Sequence, residues 1–129
     1  MGVIDGTQMD HLWKDAGWRG ALTIILGSPQ LANDGRVWQH IDLTKREIHF
    51  DKMLGDRTFS SGERTLIELA ASLFNNDQKV NLWEAISRLD DRSARLVVTA
   101  ICNFARIRDL ESPLTQRSVR SPKGKTRER

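Results

Sequence analysis

The feature that most constrains the fold is a helix start followed by a broad apolar face, in the segment 59–74. Ser60 and Glu63 stand three residues apart, the spacing at which each side chain accepts a hydrogen bond from the other's backbone amide. This capping box predicts a helix that begins at Ser61. The apolar residues that follow recur at helical spacing: Leu66, Leu69, Ala70, Leu73 and Phe74. Two further apolar positions widen that face, so we expect neighbours on two sides and a central place in the fold.

Two more helices are predicted after this one. Asn81 and Glu84 repeat the capping spacing ahead of another apolar stretch. Asp90 and Asp91 favour the positive amino-terminal end of a third helix, which carries apolar residues as far as Ile107. The last three helices are therefore expected to form a carboxy-terminal three-helix unit.

The first part of the chain predicts helices as well. Thr7 and Asp10 have the capping spacing, which indicates a short helix that ends at Gly17. The continuous apolar run at 21–26 fits either a buried helix or a buried strand, because such a run carries no period. We favour the helix.

The best strand signal lies at 37–50, where apolar and polar residues alternate with period two. The polar residues at 44–46 interrupt this pattern and predict the turn of a two-stranded antiparallel hairpin. A lone hairpin is marginally stable in water, so it must pack on the helices, and Trp38 is expected to dock it. The expected fold class is thus α+β, mainly α: a helical domain with one two-stranded hairpin and the carboxy-terminal three-helix unit.

The charge is unevenly distributed along the 129 residues. The segment 108–129 holds seven lysines and arginines against three acids, whereas residues 1–107 hold 13 against 14. The segment 108–129 is also rich in polar residues and prolines, which bury little apolar surface. We therefore expect a single globular domain over 1–107 and a disordered basic tail over 108–129. A basic arm on a near-neutral body can bind nucleic acid without reading its sequence.

Several classes of protein are disfavoured. No run approaches the ~20 apolar residues of a membrane-spanning helix, and the first residues lack the character of a secretion signal. The single Cys102 forms no internal disulfide and suits a reducing compartment, so we expect a cytoplasmic protein with no membrane partner. His40 and His49 are expected to face each other across the hairpin as a polar pair rather than as metal ligands. No hydrolase or metalloprotease motif occurs, so we expect no enzyme, no cofactor and no metal.

The last three helices have the layout of a helix-turn-helix, whose final helix lies in the major groove of DNA. The candidate nucleic-acid-binding residues lie in these helices and in the tail: Arg88, Arg92, Ser93, Arg95, Arg106, Arg108, Arg117, Arg120, Lys123 and Lys125. Arginine suits guanine because its fork donates two hydrogen bonds. However, Asp90 and Asp91 repel DNA and the turn lacks the usual glycine, so a packing unit without DNA contact is the alternative.

The segment Phe-Ser-Ser-Gly-Glu-Arg-Thr-Leu at 59–66 resembles the signature motif of ABC-type and SMC-type ATPases. In those families a Ser-Gly-Gly-rich turn opens a helix that approaches a partner's bound nucleotide. Here the family's first glycine falls on Ser61 and its second on Gly62. A phosphate-binding loop is missing, because Val119 stands where its first glycine belongs ahead of Gly124-Lys125-Thr126. The resemblance implies an accessory role at a nucleotide held by another chain.

These observations favour a small binding or regulatory protein whose first candidate ligand is DNA. One alternative is a protein-interaction factor that uses an apolar helical surface to engage a larger protein. It requires that Leu73, Leu82 or Trp83 remain exposed in the fold. The other alternative is an accessory subunit of a nucleotide-dependent complex.

Overall fold

The computed structural model describes residues 10–76 and 78–107, and these are mainly helical. The helices are α1 (Ala16–Gly27), α2 (Pro29–Ala32), α3 (Gly35–Trp38), α4 (Phe50–Leu54), α5 (Ser61–Asn75), α6 (Leu82–Ser87) and α7 (Asp91–Ala105), and residues 10–12 are also helical. The strands β1 (Ile41–Asp42) and β2 (Glu47–Ile48) form one antiparallel hairpin. The expected α+β, mainly α fold is confirmed. The predicted tail at 108–129 lies outside the described residues.

Helix α1 is the centre of the described fold, since it packs extensively against both α5 and α7. Asp15 caps it by accepting a hydrogen bond from the Trp18 amide at 3.2 Å. The apolar run at 21–26 lies in this helix and is mostly buried, which confirms the helical interpretation. The expectation that α5 would be central is wrong, because α5 and α7 contact each other less extensively than each contacts α1.

Gly17 does not end a helix, contrary to the sequence-based expectation. The first helical segment ends at Leu12, and a turn at 13–15 separates it from α1, which contains Gly17. A Cβ at Gly17 would lie 2.1 Å from the backbone oxygen of Phe74 near the end of α5. The glycine is therefore required by the close approach of two helices. Gly27 differs, because the atom closest to a Cβ there is a methyl carbon of Leu96 in α7, and this flexible side chain can shift away.

The hairpin is shorter than the alternating pattern predicts. Ile41 pairs with Ile48 and Asp42 with Glu47, and the intervening residues form the turn. The predicted turn at 44–46 is confirmed, and Asp42 stabilises it by accepting a hydrogen bond from the Lys45 amide at 2.9 Å.

The start of the predicted strand is helical instead. Asp34 accepts a hydrogen bond from the Arg36 amide at 2.9 Å and caps α3, which takes the chain through Trp38. The Trp38 indole is buried and donates to the Ala32 carbonyl at 2.7 Å. Trp38 thus joins the short helices α2 and α3 and is not part of a strand.

Arg19 in α1 is a buried charge whose hydrogen-bond acceptors are all backbone carbonyls. The residue is only 5% exposed. Its Nε donates to Asn103 at 2.7 Å and its Nη2 to Phe104 at 2.9 Å. Its Nη1 donates to Trp13 at 2.9 Å and to Lys14 at 3.1 Å. Because the last carbonyls of a helix carry partial negative charge and lack partners in the helix, the guanidinium stabilises the end of α7.

We expect Arg19→Ala to lower the free energy of unfolding by at least about 3 kcal/mol, because it removes four hydrogen bonds from a buried guanidinium to part-buried carbonyls. Urea denaturation measures this loss. The control is Arg95→Ala, which removes only an exposed ion pair with Asp91 and should cost less than about 1 kcal/mol. Equal losses in the two variants would contradict a stabilising role for the Arg19 hydrogen bonds.

Two glycine substitutions should change stability in opposite directions. Gly17→Ala should lower the free energy of unfolding by about 2 kcal/mol, because its Cβ collides with the backbone of α5. Gly62→Ala should raise it by about 0.5 kcal/mol, because alanine restricts the unfolded chain and nothing lies within 4 Å of a Cβ there. Thermal unfolding of both variants beside the parent tests the pair. A stabilised Gly17→Ala would contradict the close contact of α1 and α5.

Candidate functional site

The segment that resembles the ATPase signature motif is a complete capping box. The Ser60 hydroxyl accepts from the Glu63 amide at 3.1 Å, and the Ser60 amide donates to the Glu63 carboxylate at 2.8 Å. This confirms the predicted helix start at Ser61. Gly62 has open space around it, so no packing contact requires a glycine at this position. Capping accounts for this pair of side chains, and an accessory role at a partner's nucleotide stays a prediction.

Helix α6 has the predicted cap, and α7 begins at Asp91, where the two acidic residues predicted a helix start. Asn81 accepts a hydrogen bond from the Glu84 amide at 3.1 Å, and Asp90 accepts one from the Ser93 amide at 2.7 Å. Two hydrogen bonds from Ser93 hold the pKa of Asp90 below its ordinary value of 3.8; the one from its backbone amide has the larger effect and the one from its side chain the smaller. Asp90 therefore keeps its negative charge at neutral pH, at the helix end where a phosphate would otherwise be attracted.

The predicted DNA-binding residues of the last two helices differ in whether the protein already engages their side chains in its own contacts. Arg92 and Arg95 are exposed on the outward side of α7, and Arg106 is exposed at its carboxy-terminal cap. Arg95 forms an ion pair with Asp91 at 2.9 Å on its own helix. Ser93 is half-buried and serves the cap of α7, so it does not belong to the outward arginine group.

The remaining predicted residues lie apart from this group. Arg88 ends α6 and lies 3.4 Å from a carboxylate oxygen of Glu84. The others lie outside the described residues: Arg108, Arg117, Arg120, Lys123 and Lys125. The structure thus places Arg92, Arg95 and Arg106 along one helix, with acidic side chains at its amino end.

Exposed apolar side chains concentrate on the same two helices. The described part of the chain has seven exposed large hydrophobic residues, and all except Leu26 lie at or after the start of α6: Leu82, Trp83, Val98, Ile101, Phe104 and Ile107. Trp83 is 80% exposed and Leu82 is 56% exposed. Helix α6 docks through the buried Ala85, so its amino end is left with two large apolar groups in water.

Trp83 differs from the other three tryptophans. Trp18 and Trp38 are buried, and Trp13 packs partly buried against the core. Trp18 meets Phe74 edge to face, with ring centroids 5.3 Å apart. Three of the four tryptophans therefore contribute to the core. Trp83 stands without a second exposed tryptophan, so no pair is available to stack on successive bases.

The two histidines stand opposite each other at the base of the hairpin, where the Nε2 of His49 lies 3.4 Å from a carboxylate oxygen of Glu47. They are the next opposed positions after Ile41 and Ile48, and the His49 amide donates to the His40 carbonyl at 2.9 Å. They border a shallow cleft of about 390 Å³. Within residues 10–76 and 78–107, no group of three or more His, Cys, Asp or Glu residues is arranged to hold a metal ion.

A polar cluster around Arg36 was missed by sequence reasoning. Its Nη1 donates to the Thr58 hydroxyl at 2.7 Å, and its guanidinium carbon lies 4.2 Å from the centre of the Phe59 ring. Its hydrogen bond to Asp34 lowers the pKa of that carboxyl group. The cluster fastens α3 to the segment that leads into α5. Of these contacts, only the pairing of Asp34 with Arg36 is indicated by the sequence, because Asp34 stands at a position that caps a helix.

Comparisons of this chain with protein-family models, with curated proteins and with solved structures find no match. Among the helices of the described residues, none combines the length and the apolar character needed to cross a bilayer. The functional argument therefore depends on the exposed residues of α6 and α7.

Proposed function

We propose that this chain is a small, non-enzymatic protein-interaction module whose contact surface begins at the amino end of α6. The observation that supports this proposal is the exposure of Trp83 and Leu82, two neighbouring apolar side chains at a helix start. Tryptophan is among the residues that contribute most to binding when a partner buries it. Leu73, by contrast, is half-buried and adds little to the surface.

The local packing explains how such a surface remains available. Ala85 is buried, and Ile86 and Leu89 pack partly buried against the core, so the later part of α6 is anchored. Its first residues are left outside this contact. A fixed helix presenting a rigid aromatic side chain loses little conformational entropy on binding, which favours affinity.

We expect Trp83→Asp to weaken partner binding at least about 30-fold, because a charged group would replace an apolar anchor worth about 2 kcal/mol. The immobilised protein is exposed to an extract of its own cells, and the retained proteins are quantified by mass spectrometry. Thr44→Asp, in the exposed hairpin turn, adds the same charge and serves as the control. Any partner must be retained by the parent and the control and lost with Trp83→Asp. Identical retention by all three proteins would refute the proposal.

DNA binding is a second candidate function, favoured by the outward arginines of α7. Arg92 and Arg95 are one turn apart and exposed, and Arg106 follows at the cap. Arg95 is held only by an exposed ion pair with Asp91. A phosphate of DNA can therefore take the place of the Asp91 carboxylate with little loss of free energy. The sequence adds the basic segment 108–129, which increases counterion release.

If DNA is the ligand, the double variant Arg92→Ala/Arg95→Ala should bind duplex DNA more weakly and lower the salt-dependence slope by about 2. Fluorescence anisotropy over a series of salt concentrations measures both. The double variant Lys45→Ala/Arg57→Ala removes the same charge at exposed positions elsewhere and should have a smaller effect. Absence of binding by the parent at low salt, or equal effects of the two double variants, would exclude this function for α7.

A further inference from the structure

Helix α7 carries an exposed apolar strip that the proposed contact at α6 does not use. Ala94, Val98, Ile101 and Ala105 follow one another at intervals of four, three and four residues. This is the spacing of the contact positions in a two-helix coiled coil. Val98 is 46% exposed and Ile101 is 41% exposed, Ala105 is exposed as well, and Ala94 is half-buried. The strip is therefore open to a second helix.

The strip is separate from the face that packs inside the protein. Val97 and Ala100 are buried, and Leu96 lies against Gly27 of α1. The side-chain Nδ2 of Asn103 donates to the Thr23 hydroxyl of α1 at 2.9 Å. These contacts fix the orientation of α7, so the strip cannot rotate into the core.

The order of side chains along the strip is nearly the same in both directions. Small alanines stand at the two ends, and the larger Val98 and Ile101 stand in the middle. When two such helices lie antiparallel, Ala94 of each faces Ala105 of the other, and Val98 faces Ile101. The Ala94–Ala105 contact and the Val98–Ile101 contact are then each formed twice, as a two-fold symmetric interface requires.

The helix dipoles favour the same orientation. In an antiparallel pair the two dipoles run in opposite directions, whereas in a parallel pair their like ends lie side by side. The side-chain charges do not oppose this pairing, because Asp90 and Asp91 at the amino end are balanced by Arg92 and by Arg95, which forms an ion pair with Asp91. The occupant that best matches this strip is a second copy of the same chain.

We propose that two copies of this protein associate through an antiparallel pairing of their α7 helices, with Val98 of each copy against Ile101 of the other. The pairing does not depend on the protein that binds α6, because it needs only the purified chain.

Sedimentation equilibrium of the full chain from about 1 µM to about 1 mM tests the association. We expect a monomer–dimer equilibrium in the parent and a dissociation constant at least about tenfold higher for Val98→Glu, which places a charge in the seam. The control is Thr99→Glu. Thr99 is also exposed, but it follows Val98 in the helix and therefore points about 100° away from it around the helix axis. This variant should change the dissociation constant less than about twofold. Circular dichroism of each variant verifies that α7 is still folded.

Mixing two variants tests the antiparallel register. Val98→Glu and Ile101→Lys should each dimerise poorly alone, but their mixture should form a heterodimer. In that heterodimer one glutamate faces one lysine, while the second contact keeps its native valine and isoleucine. A parent that stays monomeric throughout, a Val98→Glu variant that dimerises like the parent, or a mixture that remains monomeric would each overturn the proposal.

Discussion

The fold depends on one buried guanidinium. Arg19 projects from α1, the helix that contacts both α5 and α7, and donates to carbonyls at two widely separated places in the chain. Two of these carbonyls belong to the end of α7, and two belong to the turn before α1. A lysine would offer a single point of charge in place of this planar fork. Arginine can therefore satisfy acceptors from two chain segments at once without a buried carboxylate nearby.

The parts of the fold that were predictable from sequence are those with local causes. The caps at Ser60 and Asn81 each involve a partner only three residues away, and both helices begin where these pairs predict. The charges of Asp90 and Asp91 likewise marked the start of α7. The apolar run of α1 was also assigned correctly. Local spacing decides such features because helix nucleation and capping involve only neighbouring residues.

The wrong predictions have two causes, distant contacts and a local cap that the strand pattern obscured. Gly17 looked like a helix end, but its role comes from the Phe74 carbonyl on another helix. Trp38 fitted an alternating strand, yet the nearby Asp34 cap starts α3 and places Trp38 in that helix, where its indole donates to the Ala32 carbonyl. Arg19 had no sequence signal, since Asn103 is 84 residues away. For the candidate site, the sequence identified Trp83 and the arginines of α7, but only the three-dimensional packing shows which of them remain exposed.

The cap of α7 has a mechanical consequence. Arg106 adopts a left-handed conformation, and the Ile107 amide donates back to the Cys102 carbonyl at 2.8 Å, so the backbone reverses its course at the helix end. Arg19 holds the two carbonyls just before this bend. Fraying of α7 from its carboxy-terminal end therefore has to break the hydrogen bonds of Arg19, a residue of the most deeply packed helix, before the rest of α7 can unwind.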